Sequence, residues 1–147
     1  MKRRPLAAGL TVAAALTVGL ALVPQAANAA ASDCPVGYAC IWGDSMYKTS
    51  GVDTDFVKFA NGIPDYGGWW YNAAHTKNAG GTATSIKDAG SRTDCIVRWY
   101  TKKNYQSAGA DYFDVQKGEQ DGYIVDAVGA VPGGFNDKIW SGQFICL

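Results

Sequence analysis

Cys95-Ile96-Val97-Arg98-Trp99-Tyr100-Thr101-Lys102-Lys103-Asn104-Tyr105 is the stretch on which a reading of the fold turns. Ile96, Val97, Trp99 and Tyr100 are β-formers and Lys102-Lys103-Asn104 is turn chemistry, so a strand leads into a tight hairpin. An echo lies upstream, where Cys40-Ile41-Trp42 runs through Gly43-Asp44-Ser45-Met46 to Tyr47. Trp42 and Tyr47 answer Tyr100 and Tyr105 with the same five-residue spacing, 58 positions earlier (100 − 42 and 105 − 47). Gly80-Gly81-Thr82-Ala83-Thr84-Ser85-Ile86 in turn answers Asn136-Asp137-Lys138-Ile139-Trp140-Ser141-Gly142 at an offset of 56 (136 − 80). Two features recurring in the same order at nearly one offset mark a supersecondary unit used twice.

The rest of the chain reads as strand and turn. Asp55-Phe56-Val57-Lys58-Phe59, Tyr112-Phe113-Asp114-Val115 and Gly122-Tyr123-Ile124-Val125 are short β-rich runs between turn residues. Helical periodicity is absent after the first thirty or so residues. An all-β chain with Gly-rich turns makes a sandwich or a small barrel. The twofold repeat narrows this to two four-stranded Greek keys packed together.

Ahead of that unit, Met1-Lys2-Arg3-Arg4 is a positive n-region, Leu6 to Val23 is apolar, and Ala27-Asn28-Ala29 offers small residues to a signal peptidase. Residues 1–29 therefore read as a signal peptide, with Ala31 the alternative cleavage point, and 30–147 as one secreted domain. The run ends at Pro24 and is full of Ala and Gly, which argues against a membrane anchor. Export removes Lys2, Arg3 and Arg4, leaving ten basic residues (13 − 3) against thirteen acidic ones, a charge near −3. Nucleic acid, which demands a basic stripe, is not an expected partner. Some 118 residues (147 − 29) suffice for one modest core and a monomer.

Four cysteines in a small exported chain read as two disulfides, for which three connectivities are open. Cys34 and Cys40 are six apart with Pro35 and Gly37 between them to turn the chain, so they are read as partners, leaving Cys95 for Cys146. A loop of about fifty residues closed by that second bond contributes about 3–4 kcal/mol in the chain-entropy model.

The run Cys34-Pro35-Val36-Gly37-Tyr38-Ala39-Cys40-Ile41-Trp42, the aromatic five positions on, and Asn136-Asp137-Lys138-Ile139-Trp140-Ser141 carry a resemblance. The pattern resembles the actinobacterial secreted peptidase inhibitors typified by the streptomycete metalloproteinase inhibitor. It implies a βγ-crystallin-like sandwich of two Greek-key motifs, disulfide-braced, with an extracellular protease as a partner. In that family the exposed bond runs from a cysteine to an aliphatic residue, and Cys95-Ile96 matches that spelling. The short disulfide loop that braces the family's reactive bond is missing, since Trp99, Tyr100 and Thr101 occupy its place.

The same resemblance implies a hairpin of aromatic, four residues, aromatic, any residue, glycine. Thr49 and Ser107 stand where that glycine belongs, so either the turn is reshaped or Gly51 and Gly109 supply the freedom two residues late. Calcium loops of the form Asn/Asp-Asn/Asp-x-x-Ser/Thr-Ser are implied too, with ligands shared between copies. Asp137 and Thr84 are the residues left to hold one ion, whereas Gly81 and Trp140 spoil the partner site. Calcium takes six to eight oxygens, so the favoured expectation is no cofactor, with Thr84, Ser85 and Ser141 hydrogen-bonding loop backbone.

Catalytic constellations are not found. His75 is the only histidine and reads as a surface residue, and one imidazole serves neither a zinc site nor a triad. No enzyme is expected. Asp53 and Asp55 alternate about Thr54 and read as exposed strand-edge charge. Gly67-Gly68-Trp69-Trp70-Tyr71 places three aromatics in a row, and three in a strand cannot share one face. Trp69 and Tyr71 are read as core, with Trp70 covered by the loop before Gly80. The trio is also the candidate platform for an alternative function, a module that binds cell-wall sugar or acts in a killer-toxin-like way, beside a non-inhibitory structural or calcium-binding domain.

Overall fold

The computed structural model describes residues 30–49, 55–108, 111–125 and 132–147. The leader read over residues 1–29, and Gly51, Asp53 and Gly109, lie outside them. The described strands are β1 (Ala39–Trp42), β2 (Val57–Phe59), β3 (Gly62–Ile63), β4 (Ser85–Asp88), β5 (Cys95–Tyr100), β6 (Tyr112–Gln116), β7 (Gln120–Asp121) and β8 (Ser141–Cys146). Alternating apolar residues set the inward face of each: β5 buries Cys95, Val97 and Trp99, and β6 buries Phe113 and Val115. Only single-turn 3-10 helices accompany them, and among the described residues no helix is long and apolar enough to cross a membrane.

Two antiparallel sheets result, ordered β2-β1-β4-β7 and β3-β8-β5-β6. Taken from its other edge the second runs β6-β5-β8-β3, which superposes β1 on β5, β2 on β6 and β4 on β8. Within each unit the fourth strand returns to lie beside the first, and the third strand is exchanged into the opposite sheet. This path is consistent with two Greek keys. Between the sheets lie Ile41, Val57, Ile86, Val97, Trp99, Phe113 and Val115, closed at one end by Tyr66 and Tyr71. Truncating a buried tryptophan such as Trp99 costs about 3–5 kcal/mol.

The repeat is realised atom by atom at the hairpin corners. Ser85 Oγ donates to Asp44 O (2.8 Å) and accepts from Tyr47 N–H (3.2 Å). Ser141 Oγ donates to Lys102 O (2.6 Å) and accepts from Tyr105 N–H (3.2 Å). One serine on each returning strand thus fastens the corner of its own unit. Backbone freedom comes from Met46 and Tyr47 (φ 56° and 58°) and from Asn104 and Tyr105 (φ 55° and 58°). The turn is reshaped, with left-handed residues ahead of Thr49 and Ser107.

Two local expectations are corrected. β5 and β6 are neighbours, but residues 101–108 fold into a corner after β5 rather than a tight hairpin. Asn104 N–H donates to Pro64 O (2.6 Å) and Tyr105 N–H to Ser141, so this backbone is satisfied by other elements instead of a facing strand. Gly122–Val125 is a turn, and the strand there is Gln120–Asp121. Asp121 Oδ1 accepts from Tyr123 N–H (2.8 Å), a local bond that competes with ladder pairing.

Both disulfides pair as read. Cys34–Cys40 sits over the outer face of the first sheet with Trp42, Tyr38 and Phe56, and Cys95–Cys146 joins residues directly opposed on β5 and β8. Paired cysteines fit an oxidising compartment. Replacing Ser85 or Ser141 with alanine removes the partner of a part-buried backbone donor and acceptor, so each variant should lose about 1–2 kcal/mol of unfolding free energy in urea titrations. Unchanged midpoints for both would show that the serines fasten nothing.

Candidate functional site

Among the described tryptophans the exposed ones share one loop, while Tyr123, 46% exposed, is on the turn after β7. Trp69 is 45% and Trp70 36% exposed, whereas Trp42 and Trp99 are fully buried. Tyr71 is buried as expected, but Trp69 is not core. The physical reason is that residues 69–71 form no regular strand. Trp70 makes a single bridge to Asn78, so the alternation of a pleated strand does not govern its neighbours. The ring of His75 stacks on Trp70 (centroids 5.3 Å apart, planes at 11°) and widens the aromatic surface. Trp69, Trp70 and His75, with Asp55, Gly68, Asn72 and Ala73, line an open cleft of about 420 Å³.

This shelf is held by polar bonds from beneath. Asn78 Nδ2 donates to Gly67 O (2.7 Å) and Trp69 O (3.1 Å), while its Oδ1 accepts from Gly80 N–H (2.9 Å). Asn72 Nδ2 donates to Thr76 Oγ1 (2.7 Å) and Asn72 Oδ1 accepts from Thr76 N–H (3.0 Å), closing the turn that presents His75 at φ 55°. Asp65 accepts from Gly67 N–H, and the Lys103 ammonium bonded to it holds its carboxyl below the usual range. Asp55 N–H donates to Tyr71 O (2.9 Å), which sets Asp55 at the rim. The sequence had pointed to Trp69, Trp70 and Tyr71. Asp55, Asn72, Asn78 and His75 join the shelf through loop closure, for which the chain carries no periodic signal.

Cys95 and Ile96 lie elsewhere. β5 is an inner strand, with Ile96 opposite Gln116 on β6 and Ile145 on β8, and Cys95 is 4% exposed. The Cys95-Ile96 peptide is therefore flanked by ladders on both sides, and its cysteine is tied to β8.

The two loops read for calcium cross each other. Gly81 N–H donates to Ile139 O (2.8 Å) and Asp137 N–H to Ala83 O (3.1 Å), a reciprocal pair with left-handed backbone at both Gly81 (φ 67°) and Asp137 (φ 56°). The Trp140 indole lies on Gly80 and Gly81; a Cβ on Gly80 would come within 2.6 Å of that ring. Lys103 Nζ stands 5.0 Å from the ring centre. In the other half Thr84 Oγ1 donates to Gly43 O (3.3 Å), and the exposed Asp137 accepts from Asn136 Nδ2 (2.7 Å). Among the described residues no three His, Cys, Asp or Glu side chains gather as metal ligands. One carboxylate and a committed hydroxyl supply two of the six to eight oxygens that calcium takes, so the side chains read for this site do not by themselves hold an ion.

The fold so assembled is βγ-crystallin-like. No protein-family profile and no curated protein sequence matches the chain. Among solved structures, one described as "Evolution of the eye lens beta-gamma-crystallin domain fold" superposes with a TM-score of 0.51 at 11% identity, covering 77% of this chain and 90% of that one. A beta gamma crystallin from Ciona intestinalis superposes more loosely, with a TM-score of 0.47 at 10% identity over 73% and 98% of the two chains. The likeness is one of fold, and it carries no sign of the peptidase-inhibitor family.

Two outcomes follow from the crossing loops. Gly81→Ala places a Cβ at positive φ and 3.0 Å from the Trp140 indole, so it should lower stability by about 1–3 kcal/mol in denaturant titrations. Thermal midpoints in calcium and in chelator should coincide, because a ligand bound to the native state alone would raise the first; a midpoint climbing with calcium concentration would overturn the misfit.

Proposed function

We propose that this protein is a secreted, monomeric, non-enzymatic recognition module of βγ-crystallin-like fold, whose working surface is the Trp69–Trp70–His75 shelf, with cell-wall polysaccharide as its ligand. The observation that carries the reading is the exposure of two adjacent indoles in a chain that buries its other described tryptophans or packs them against loops. Pyranose rings present flat C–H faces, and an indole held rigid by its own loop binds such a face with little ordering cost. The braces through Asn72 and Asn78 supply that rigidity. Secretion is supported by the two disulfides and by the leader-like composition of residues 1–29.

Peptidase inhibition, implied by the sequence resemblance, is the weaker reading. A protease takes its substrate as an extended strand pairing with its own cleft, and Cys95-Ile96 already pairs on both sides. Presenting that bond would require stripping β5 from β6 and β8, which dismantles the second sheet.

Sedimentation of the purified protein with chitin, cellulose or peptidoglycan particles tests the proposal. Trp69→Ala and Trp70→Ala should each weaken binding about tenfold, the loss of about 1.4 kcal/mol, with an unchanged circular dichroism spectrum. Retention of full binding by the double variant would remove the shelf from the function. Titration against a thermolysin-type metalloprotease should leave the enzyme fully active; stoichiometric block would restore the inhibitor reading.

A further inference from the structure

The charge around the shelf says more about its ligand, on the footing that the shelf is the recognition surface. We infer that the ligand is cationic: a polymer of amino sugars, whose ammonium group is held over the indoles with Asp55 as counter-charge.

The first support is a carboxylate without a basic partner. Asp44 pairs with Lys77 (3.6 Å), Asp65 with Lys103 (3.0 Å), Asp114 with Arg98 (2.6 Å), Asp94 with Arg92 and Asp111 with Lys102. Asp55, like Asp33, Asp88, Glu119, Asp121 and Asp137, is outside these pairs, and of these six it is the one that lines the aromatic cleft. It is exposed, its Oδ1 accepts from the neighbouring Phe56 N–H (2.8 Å), and no lysine or arginine pairs with it among the described residues. Its backbone bond to Tyr71 fixes it beside Trp70 rather than leaving it to wander.

The second support is the composition of the cleft. Asp55 is its acidic member, and neither lysine nor arginine lines it. The amines of the surrounding loops are committed elsewhere: Lys77 donates to Gly43 O and pairs with Asp44, and Lys103 holds Asp65 and faces Trp140. An anionic sugar would meet the Asp55 charge with no lysine or arginine in the lining to offset it. A cation meets both a carboxylate and electron-rich aromatic faces, and tryptophan is the best of these. Asn72 adds a polar edge at the same cleft. A flat ring bearing an ammonium group satisfies every part of this lining, and a repeating amino sugar supplies such rings in series.

Tryptophan fluorescence titrations of the purified protein provide the test. The probes are glucosamine oligosaccharides and N-acetylglucosamine oligosaccharides of equal length, in mildly acidic buffer where the free amine is protonated. These share a ring and differ in charge. The glucosamine oligomer should bind about tenfold or more tightly than its acetylated counterpart, and added salt should shrink the gap. Asp55→Asn should abolish the preference, and Asp55→Glu, which keeps the charge, should retain it. Equal affinity for both oligomers, with Trp70→Ala still abolishing binding, would overturn the charge inference and leave the shelf standing. A preference that survives Asp55→Asn would overturn it as well. Failure of both oligomers to bind, or binding indifferent to Trp69→Ala and Trp70→Ala, would remove the shelf reading together with this one.

Discussion

The reciprocal crossing of the loops ahead of β4 and β8 is the constraint on which the remaining structure depends. Gly81 N–H reaches Ile139 O and Asp137 N–H reaches Ala83 O, so neither loop completes its hydrogen bonding without the other. Buried backbone polar groups demand partners, and here each unit supplies them to its twin. Immediately after the crossing, Ser85 and Ser141 fasten the corners that follow β1 and β5. Sheet, corner and crossing are thereby locked as a single piece. Trp140 adds the last contact by lying flat on Gly80 and Gly81, where a side chain on either glycine would collide with it.

The two units share this framework and part company at their surfaces. Outside the first sheet, Cys34–Cys40 covers an aromatic cluster in which Trp42 meets Tyr47 edge-on and stacks on Phe56. Outside the second, the corresponding ground holds the Arg98–Asp114 ion pair, with the guanidinium 4.1 Å from the Tyr112 ring centre. The aromatic shelf belongs to the connection between β3 and β4. Because Asn78 bonds both to Trp69 O and to Gly80 N–H, the shelf is anchored to the crossing loops. The surface proposed to bind is therefore held by the same interactions that define the fold.

Legibility of the fold in the chain was high where a motif recurred and low where geometry depended on a remote partner. The spacing of Trp42 to Tyr47 and Tyr100 to Tyr105, and the serines at 85 and 141, announced the duplicated unit. The four cysteines paired as their spacing suggested. Trp69 lies outside the core because strand alternation does not hold in a segment that makes one isolated bridge. Gly122–Val125 is a turn despite its β-forming side chains because they yield to the Asp121 side chain and to a bond from Ile124 N–H to Thr84 O. The leftward backbone at Met46, Tyr47, Asn104 and Tyr105 had no glycine to advertise it.

Composition, periodicity and the repeat alone determined an all-β, disulfide-braced chain of two like units, because these properties arise from neighbours along the backbone. Which strand is inner and which bond is sheltered are facts of pairing between distant segments. The same holds for the meeting of Asp55 with Trp70 and His75. Only the tertiary structure decided them, since a side chain's exposure is set by what folds over it and no residue carries that information by itself.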